Sequence, residues 1–201
     1  ITETLQPDWK AVTPVVLTRT LLCSGNLTNQ NFTNQKLYCI SGQKTDAVTG
    51  KGLKDVEINI SDSSGQQIDT TTTNATGYYQ FCGLAPDIYT VCEILPAGSS
   101  PNGTVCRKVY LTQTCANVTG QDFSNFRLLC VEGQKVDYCT GKGLDNWTIS
   151  YSNPFYGSGT IKTNATGYFR VCDLMPGIWT FCEDVPVNWR NVTDRCIEVN
   201  L

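Results

Sequence analysis

The sequence predicts an all-β protein made of two tandem, Ig-like β-sandwich modules. The stretch from Lys36 to Glu93 recurs about ninety residues later, from Arg127 to Glu183, and a repeat of this period marks tandem modules. Short runs alternate apolar and polar residues, as half-buried strands do, and no helical period competes with them. Short strands separated by turn sequences favour a sandwich.

The predicted strands follow the same order in both copies. Each copy has an alternating strand, an Asn-Ala-Thr-Gly turn, a second strand, a loop and a third strand. In the first copy these elements are 56–60, 74–77, 78–81, 83–87 and 89–93. In the second copy they are 147–150, 164–167, 168–171, 174–177 and 179–183.

The same alternation predicts which side chains form the core. The residues expected to point inward are mostly aromatic, and we interpret them as core and not as a ligand platform. They are Tyr79, Phe81, Leu84, Tyr89 and Val91 in the first copy, and Phe169, Val171, Leu174, Trp179 and Phe181 in the second.

Composition excludes several classes of function. The net charge is −3 with no basic cluster, which argues against a nucleic-acid partner. No apolar run approaches the ~18 residues that a membrane span needs. The chain has no histidine, which rules out Cys/His zinc sites and Cys–His catalysis. A pair of carboxylates such as Glu183 and Asp184 could in principle cleave glycosides, but adjacent residues of a strand face opposite ways. We therefore predict no enzymatic activity and no cofactor.

The chain has eleven cysteines, which indicates a disulfide framework in an oxidising, extracellular compartment. Those within the predicted strands fall on the outward phase, where they can pair across neighbouring strands, between modules or between chains. Because eleven is odd, at least one thiol is free or bonded to another chain. Cys139 is the leading candidate, because it has no counterpart in the first copy. The set is Cys23, Cys39, Cys82, Cys92, Cys106, Cys115, Cys130, Cys139, Cys172, Cys182 and Cys196.

Nine Asn-x-Ser/Thr sequons predict N-linked glycans on several sites. The two Asn-Ala-Thr-Gly sequons are also good turn sequences without a sugar. The nine asparagines are Asn26, Asn31, Asn59, Asn74, Asn102, Asn117, Asn146, Asn164 and Asn191.

Three stretches resemble a known family of repeats. GQKTDAVTGKGL (42–53), NATGYY (74–79) and GLAPDIYTVCE (83–93) are similar to Cna B-type and serine-aspartate-repeat B-type modules. The resemblance implies prealbumin-like β-sandwiches strung along surface adhesins, pili and archaeal envelope proteins. The linker NVTGQDFSNF (117–126) resembles the spacer between such modules in archaeal surface proteins.

The resemblance implies two sites that can be compared residue by residue. The calcium loop of serine-aspartate modules needs several oxygen ligands. Here the loop offers one carboxylate in each copy, Asp46 and Asp137, so we predict no calcium site.

The second implied site is the isopeptide bond of Cna B-type modules, in which a lysine attacks an asparagine beside a buried glutamate. The matching residues are Lys44, Glu93 and Asn125 in the first copy, and Lys135 and Glu183 in the second. The alternative is a buried Lys–Glu ion pair without a covalent bond.

The repeat is out of register with the chain. Residues 1–35 match the end of a preceding module, 36–126 form the first module, and 127–201 form a second module lacking its closing strand. Asn31-Phe32-Thr33-Asn34 corresponds to Asp122-Phe123-Ser124-Asn125. We therefore expect residues of about 15–38 to fill the open edge of the second module in a neighbouring copy; the alternatives are a piece of a longer repeat protein, or docking on the same chain.

These patterns predict a structural subunit of an extracellular cell-surface assembly, such as a filament, sheath or surface layer. Its partners would be copies of itself, joined head-to-tail and stapled by disulfides, with N-linked glycans. The alternative is the stalk of a surface adhesin that presents a separate binding domain.

Overall fold

The computed structural model describes residues 1–20, 26–111 and 116–201. This part of the chain contains sixteen strands and no helix. The strands are β1 (Trp9–Ala11), β2 (Asn34–Lys36), β3 (Tyr38–Asp46), β4 (Glu57–Ser61), β5 (Gln67–Thr72), β6 (Tyr78–Leu84), β7 (Ile88–Glu93), β8 (Ser99–Pro101), β9 (Cys106–Tyr110), β10 (Phe123–Arg127), β11 (Leu129–Gln134), β12 (Thr148–Asn153), β13 (Gly157–Lys162), β14 (Tyr168–Leu174), β15 (Ile178–Glu183) and β16 (Cys196–Asn200).

The chain divides into two compact units. Unit 1 comprises 1–95 with 101–124, and unit 2 comprises 96–100 with 125–201. The division passes through β10, as does the module boundary that the sequence predicts at 126/127. The all-β fold with tandem sandwich modules agrees with the class predicted from the repeat.

The strands of unit 1 belong to two four-stranded sheets, in the orders β6-β3-β10-β8 and β5-β4-β7-β9. Strands β8 and β10 cross the division, so part of each belongs to unit 2. Strands β3 and β6 are antiparallel, with Ile40 opposite Phe81, and β4 lies between β5 and β7. The alternating residues of these strands bury one face each. The resulting core is Tyr38, Ile40, Val56, Ile58, Ile60, Tyr79, Phe81, Leu84, Tyr89, Val91, Val109, Leu111 and Phe123.

The N-terminal segment of unit 1 folds back on itself. Strand β1 pairs with β2 in an antiparallel ribbon of three residue pairs, with Trp9 opposite Lys36. A bridge between Thr2 and Val16 extends the same fold-back. Residues 34–36, which we expected to fill the edge of another copy, are therefore paired within this chain.

Unit 2 repeats the sandwich with fewer strands. Its sheets are β11-β14 and β13-β12-β15-β16. Within the described residues β11 has β14 as its one neighbour, whereas its counterpart β3 also lies beside β10. The core is correspondingly smaller and consists of Val131, Trp147, Ile149, Val171, Leu174, Trp179 and Phe181.

The side chains predicted to point inward are buried, except that Phe169 is half-buried. The predicted loops at 83–87 and 174–177 begin too early, because β6 and β14 continue to Leu84 and Leu174. Each strand passes through an irregular residue, Gly83 (φ +73°) or Asp173 (φ +61°), and then buries the leucine.

In the described ranges, no helix long and apolar enough to cross a membrane is found.

Candidate functional site

A buried Lys–Glu pair lies in the core of unit 1. The Nζ atom of Lys44 on β3 is 2.6 Å from Oε2 of Glu93 on β7, and both side chains are essentially inaccessible. Burial lowers the pKa of Lys44, while the hydrogen bond and the negative charge of Glu93 act in the opposite direction. A buried charge is tolerated only when it is paired in this way.

The repeated sequence motifs hold the Lys44 backbone in place. The Lys44 N–H donates to the carbonyl of Gly77, and its carbonyl accepts from the N–H of Leu53, at 2.7 and 2.8 Å. Gly77 ends the Asn-Ala-Thr-Gly turn and Leu53 ends the Gly-Lys-Gly-Leu stretch. At Gly52, a side chain would collide with the backbone of Thr76. Both motifs therefore recur because they touch each other around the lysine.

Unit 2 has the same pair in a more open setting. Lys135 Nζ is 2.6 Å from Glu183 Oε2, but the lysine side chain keeps 20% of its exposure. The Lys135 Nζ also lies 5.0 Å from the centre of the Trp147 ring, where unit 1 has Val56. The indole thus provides a cation–π contact to the lysine that the smaller side chain in unit 1 cannot give.

The predicted acceptor in the first copy, Asn125, is buried on β10, and the division of the chain places it in unit 2. In the second copy, the resemblance to Cna B-type modules gives the pair Lys135 and Glu183 but no asparagine to accept an isopeptide bond.

Two cavities of about 190 and 150 Å³ form a groove in unit 2 at the end of β11, and Lys135 and Glu183 line both. Trp147 and Trp189 also line the larger cavity, and Phe169 and Ile197 line the smaller one. The sequence did not predict this groove. The signal that could have found it is the replacement of Val56 and Arg107 by Trp147 and Ile197 between the repeats.

Asp46 and Asp137 serve their own loops. Asp46 Oδ1 accepts hydrogen bonds from the N–H and Oγ1 of Thr49 and from the N–H of Val48. Asp137 accepts the same pair from Thr140. These hydrogen bonds lower the pKa of both carboxyls. Within the described residues, no group of three His, Cys, Asp or Glu side chains is placed to hold a metal ion.

Eight cysteines form four disulfides, all between neighbouring strands of one unit. The bonds are Cys39–Cys82 and Cys92–Cys106 in unit 1, and Cys130–Cys172 and Cys182–Cys196 in unit 2. Of the three kinds of pairing that the sequence leaves open, these eight therefore use pairing across neighbouring strands. Cys139 has a free thiol and is exposed. Cys23 and Cys115 lie outside the described residues.

Eight of the nine sequon asparagines are exposed, and Asn59 is half-buried. In the Asn-Ala-Thr-Gly turns, the asparagine side chain accepts hydrogen bonds through Oδ1, in Asn74 and in Asn164. The turn therefore does not use Nδ2, which is the atom that carries an N-linked sugar.

Comparison with known proteins finds a family model that matches part of the chain. Residues 41–110 match the SdrD B-like domain. The chain is 35% identical over 113 residues to the bone sialoprotein-binding protein of Staphylococcus aureus, and 36% identical over 114 residues to serine-aspartate repeat-containing protein F of Staphylococcus epidermidis. Each match covers 54% of this chain but 8% and 6% of those proteins, so the chain spans a small part of their length.

Two similar solved structures are a streptococcal ancillary pilin and the Bacillus anthracis TIE protein, each 20% identical. They cover 82% and 83% of this chain, and the matches cover 58% and 32% of those chains, with TM-scores of 0.44 and 0.46. Residues 41–110 of this extracellular, cell-surface protein match the SdrD B-like domain, and this match confirms the resemblance to serine-aspartate-repeat B-type modules over that stretch.

Proposed function

We propose that this chain is a structural subunit of an extracellular cell-surface assembly, such as a filament, sheath or surface layer, joined head-to-tail with copies of itself. The observation that carries the proposal is the edge of β11, which has no strand neighbour among the described residues, whereas the equivalent edge of β3 lies next to β10. An unpaired sheet edge favours addition of a strand from another chain. Repetition of such a contact builds a filament or ring.

A stalk within a surface adhesin is the second candidate. The similarity to serine-aspartate repeat-containing proteins favours it. So does the placement of eight cysteines in bonds inside single units, because those bonds do not join one chain to another. In this case the two modules are a stiff spacer, and binding belongs to another part of the protein.

Native material on non-reducing and reducing gels distinguishes the two functions. A ladder that collapses with thiol supports a covalently joined assembly, with the exposed Cys139 as the linking residue. The Cys139→Ser variant should then lose the ladder while keeping all four internal disulfides. A single monomer band from native material supports the stalk.

We also propose that Lys44 forms an isopeptide bond with Asn125. Lys44 Nζ would attack Cγ of the asparagine, a new C–N bond would form, and the amide nitrogen would leave as ammonia while Glu93 passes the proton. The lowered pKa of Lys44 supports this step because it favours the neutral amine. The alternative is the ion pair alone, which needs only the 2.6 Å contact. The intact mass of the deglycosylated chain decides between them through the loss of one ammonia, which Lys44→Met should abolish.

We propose that several of the nine sequons carry N-linked glycans, beginning with the exposed turns at Asn74 and Asn164. Mass spectrometry of native peptides before and after glycan removal tests each site. Unmodified peptides at both turns would mean that these two Asn-Ala-Thr-Gly sequences form turns and do not carry a glycan.

A further inference from the structure

We infer that the edge of β11, together with the groove at its end, binds residues 26–34 of a second copy of this chain as an added strand. The inference rests on the proposed head-to-tail assembly and names the segment and the contacts that would join two copies.

Unit 1 shows how such an edge is filled. The Ser41 N–H donates to the Val118 carbonyl at 2.9 Å, and the Gln121 N–H donates to the Ser41 carbonyl at 3.1 Å. In unit 2, Glu132 occupies the position of Ser41, since Glu132 lies opposite Arg170 as Ser41 lies opposite Gln80. The Glu132 amide therefore faces the edge at which β11 has no strand partner among the described residues.

The groove also has a place for an aromatic ring. In unit 1, the Phe123 ring stacks on Tyr79 at 6.3 Å between centroids, and the Arg107 guanidinium lies 5.5 Å from its centre. Phe169 and Ile197 occupy the equivalent positions in unit 2 and line the 150 Å³ cavity. Ile197 is 54% exposed, and a phenylalanine from another chain would cover it.

Residues 26–34 (NLTNQNFTN) match residues 117–125 (NVTGQDFSN) without a gap. Their backbones share a left-handed residue at the same place, Asn29 (φ +60°) and Gly120 (φ +73°). The side chain of the next residue makes the same local hydrogen bond in both, from Gln30 Nε2 to the Thr28 carbonyl at 2.7 Å, and at 3.2 Å in the copy. The segment therefore already has local conformational features that residues 117–125 have next to β3, the counterpart of β11.

The register follows from this match. Phe32 takes the place of Phe123 and enters the cavity beside Phe169 and Ile197. Asn34, two residues further on, then faces Lys135 and Glu183. Leu27, which is 45% exposed, takes the place of Val118, a residue that packs against the unit 1 core.

Release of the segment requires the ribbon between β1 and β2 to open. Strand β2 holds the segment to β1 through three residue pairs, and Asn34 donates a hydrogen bond to Glu3. The Thr33 carbonyl accepts from the N–H groups of Val12 and Thr13, and the Thr33 N–H donates to Thr13 Oγ1. A two-stranded ribbon of this length is marginal on its own. Docking at β11 replaces those backbone bonds and buries Leu27 and Phe32 in addition.

The test uses the full chain with Cys139→Ser throughout, so that the exposed Cys139 cannot form a disulfide between copies. Sedimentation over a range of concentrations measures self-association. Phe32→Ala removes the aromatic anchor of the donor strand. Glu132→Pro removes one amide donor from the acceptor edge, where an edge strand tolerates proline. Lys36→Ala and Glu132→Ala are the matched controls.

We expect Phe32→Ala and Glu132→Pro each to weaken association at least about tenfold, and the two controls to leave it unchanged. An equal mixture of the two defective variants should form dimers, because Phe32→Ala keeps an intact acceptor and Glu132→Pro keeps an intact donor. Loss of folding could not produce that rescue.

Association that persists in both variants overturns this inference but leaves the proposed assembly standing on another surface. A parent chain that stays monomeric at every concentration overturns both, and leaves the edge to a strand from elsewhere in a longer protein.

Discussion

Lys44 and Lys135 make the same 2.6 Å contact with a glutamate but differ in exposure, at 0% and 20% of the side chain. Removal of one partner leaves the other charge uncompensated, and this costs more where water cannot reach it. We expect Lys44→Met to lower the free energy of unfolding of unit 1 by about 3–5 kcal/mol. Lys135→Met should cost unit 2 clearly less. Calorimetry of each variant measures both.

The control for this prediction is the double variant Lys44→Met with Glu93→Leu. Apolar residues of similar volume often replace a buried ion pair without loss, so an ion pair alone predicts that the double variant recovers much of the stability. The proposed isopeptide bond predicts no recovery, because the double variant cannot form it.

Asp46 gives the protein a defined response to acid. Hydrogen bonds from Thr49 and Val48 lower the pKa of its carboxyl below the ordinary value of 3.8. Its stabilisation is therefore complete above that value and is lost as the pH falls through the lower, folded-state pKa. Urea unfolding between neutral and acidic pH should show less loss on acidification in Asp46→Asn than in the parent chain. Equal pH dependence in the two proteins would remove Asp46 as a cause.

At the scale of strands, the described part of each unit has one disulfide in each of its two sheets. Cys39–Cys82 joins β3 to β6 and closes a separation of 43 residues, while Cys92–Cys106 joins β7 to β9 and closes 14. The two bonds therefore differ mainly in how strongly they restrict the unfolded chain.

Chain entropy predicts that the longer loop gives the larger effect. Replacement of both cysteines by alanine should cost about 4 kcal/mol for Cys39–Cys82 and about 3 kcal/mol for Cys92–Cys106. Denaturant unfolding of the two double variants measures the difference, and the equivalent bonds of unit 2 provide an internal repeat. The reverse order would mean that native-state packing, and not loop length, sets their contribution.

How far the strands can be predicted depends on what fixes them. Alternation alone identifies the inward positions of β6 and β7, since Tyr79, Phe81, Tyr89 and Val91 are all buried. Alternation cannot give the end of β6, because Gly83 interrupts the period before Leu84 returns to the core. The pairing of cysteines also depends on which strands are neighbours, and the alternation of apolar and polar residues along one strand does not show which strands lie next to it.

The candidate site divides in the same way. The likeness to a known family predicts the Lys44–Glu93 and Lys135–Glu183 pairs, and both are in contact. The groove of unit 2 depends on a sheet neighbour that is missing along β11, so it appears only when the two units are compared.

At the scale of the whole molecule, the two modules differ at one sheet edge: β3 lies between β6 and β10, whereas β11 has β14 as its one neighbour among the described residues. Thirteen buried apolar residues form the core of unit 1 and seven form that of unit 2. Because buried apolar area is the main source of stability, unit 2 is expected to be the less stable unit when no strand is docked on it. Both units keep the same disulfides and the same Lys–Glu pair, so the edge is the main structural difference between them.

Hydrogen exchange can detect this difference amide by amide. The Ser41 amide is bonded to Val118, whereas that of Glu132 faces the open edge of β11. In dilute Phe32→Ala protein, where docking is suppressed, we expect Glu132 to exchange about a hundredfold faster than Ser41 or more, because exchange at Ser41 requires the strand pair to open. In concentrated parent protein, Glu132 should become protected while Ser41 does not change. Equal protection of the two amides in the dilute variant would show that the edge of β11 is covered without a second copy, and the open groove would then not be the joining surface.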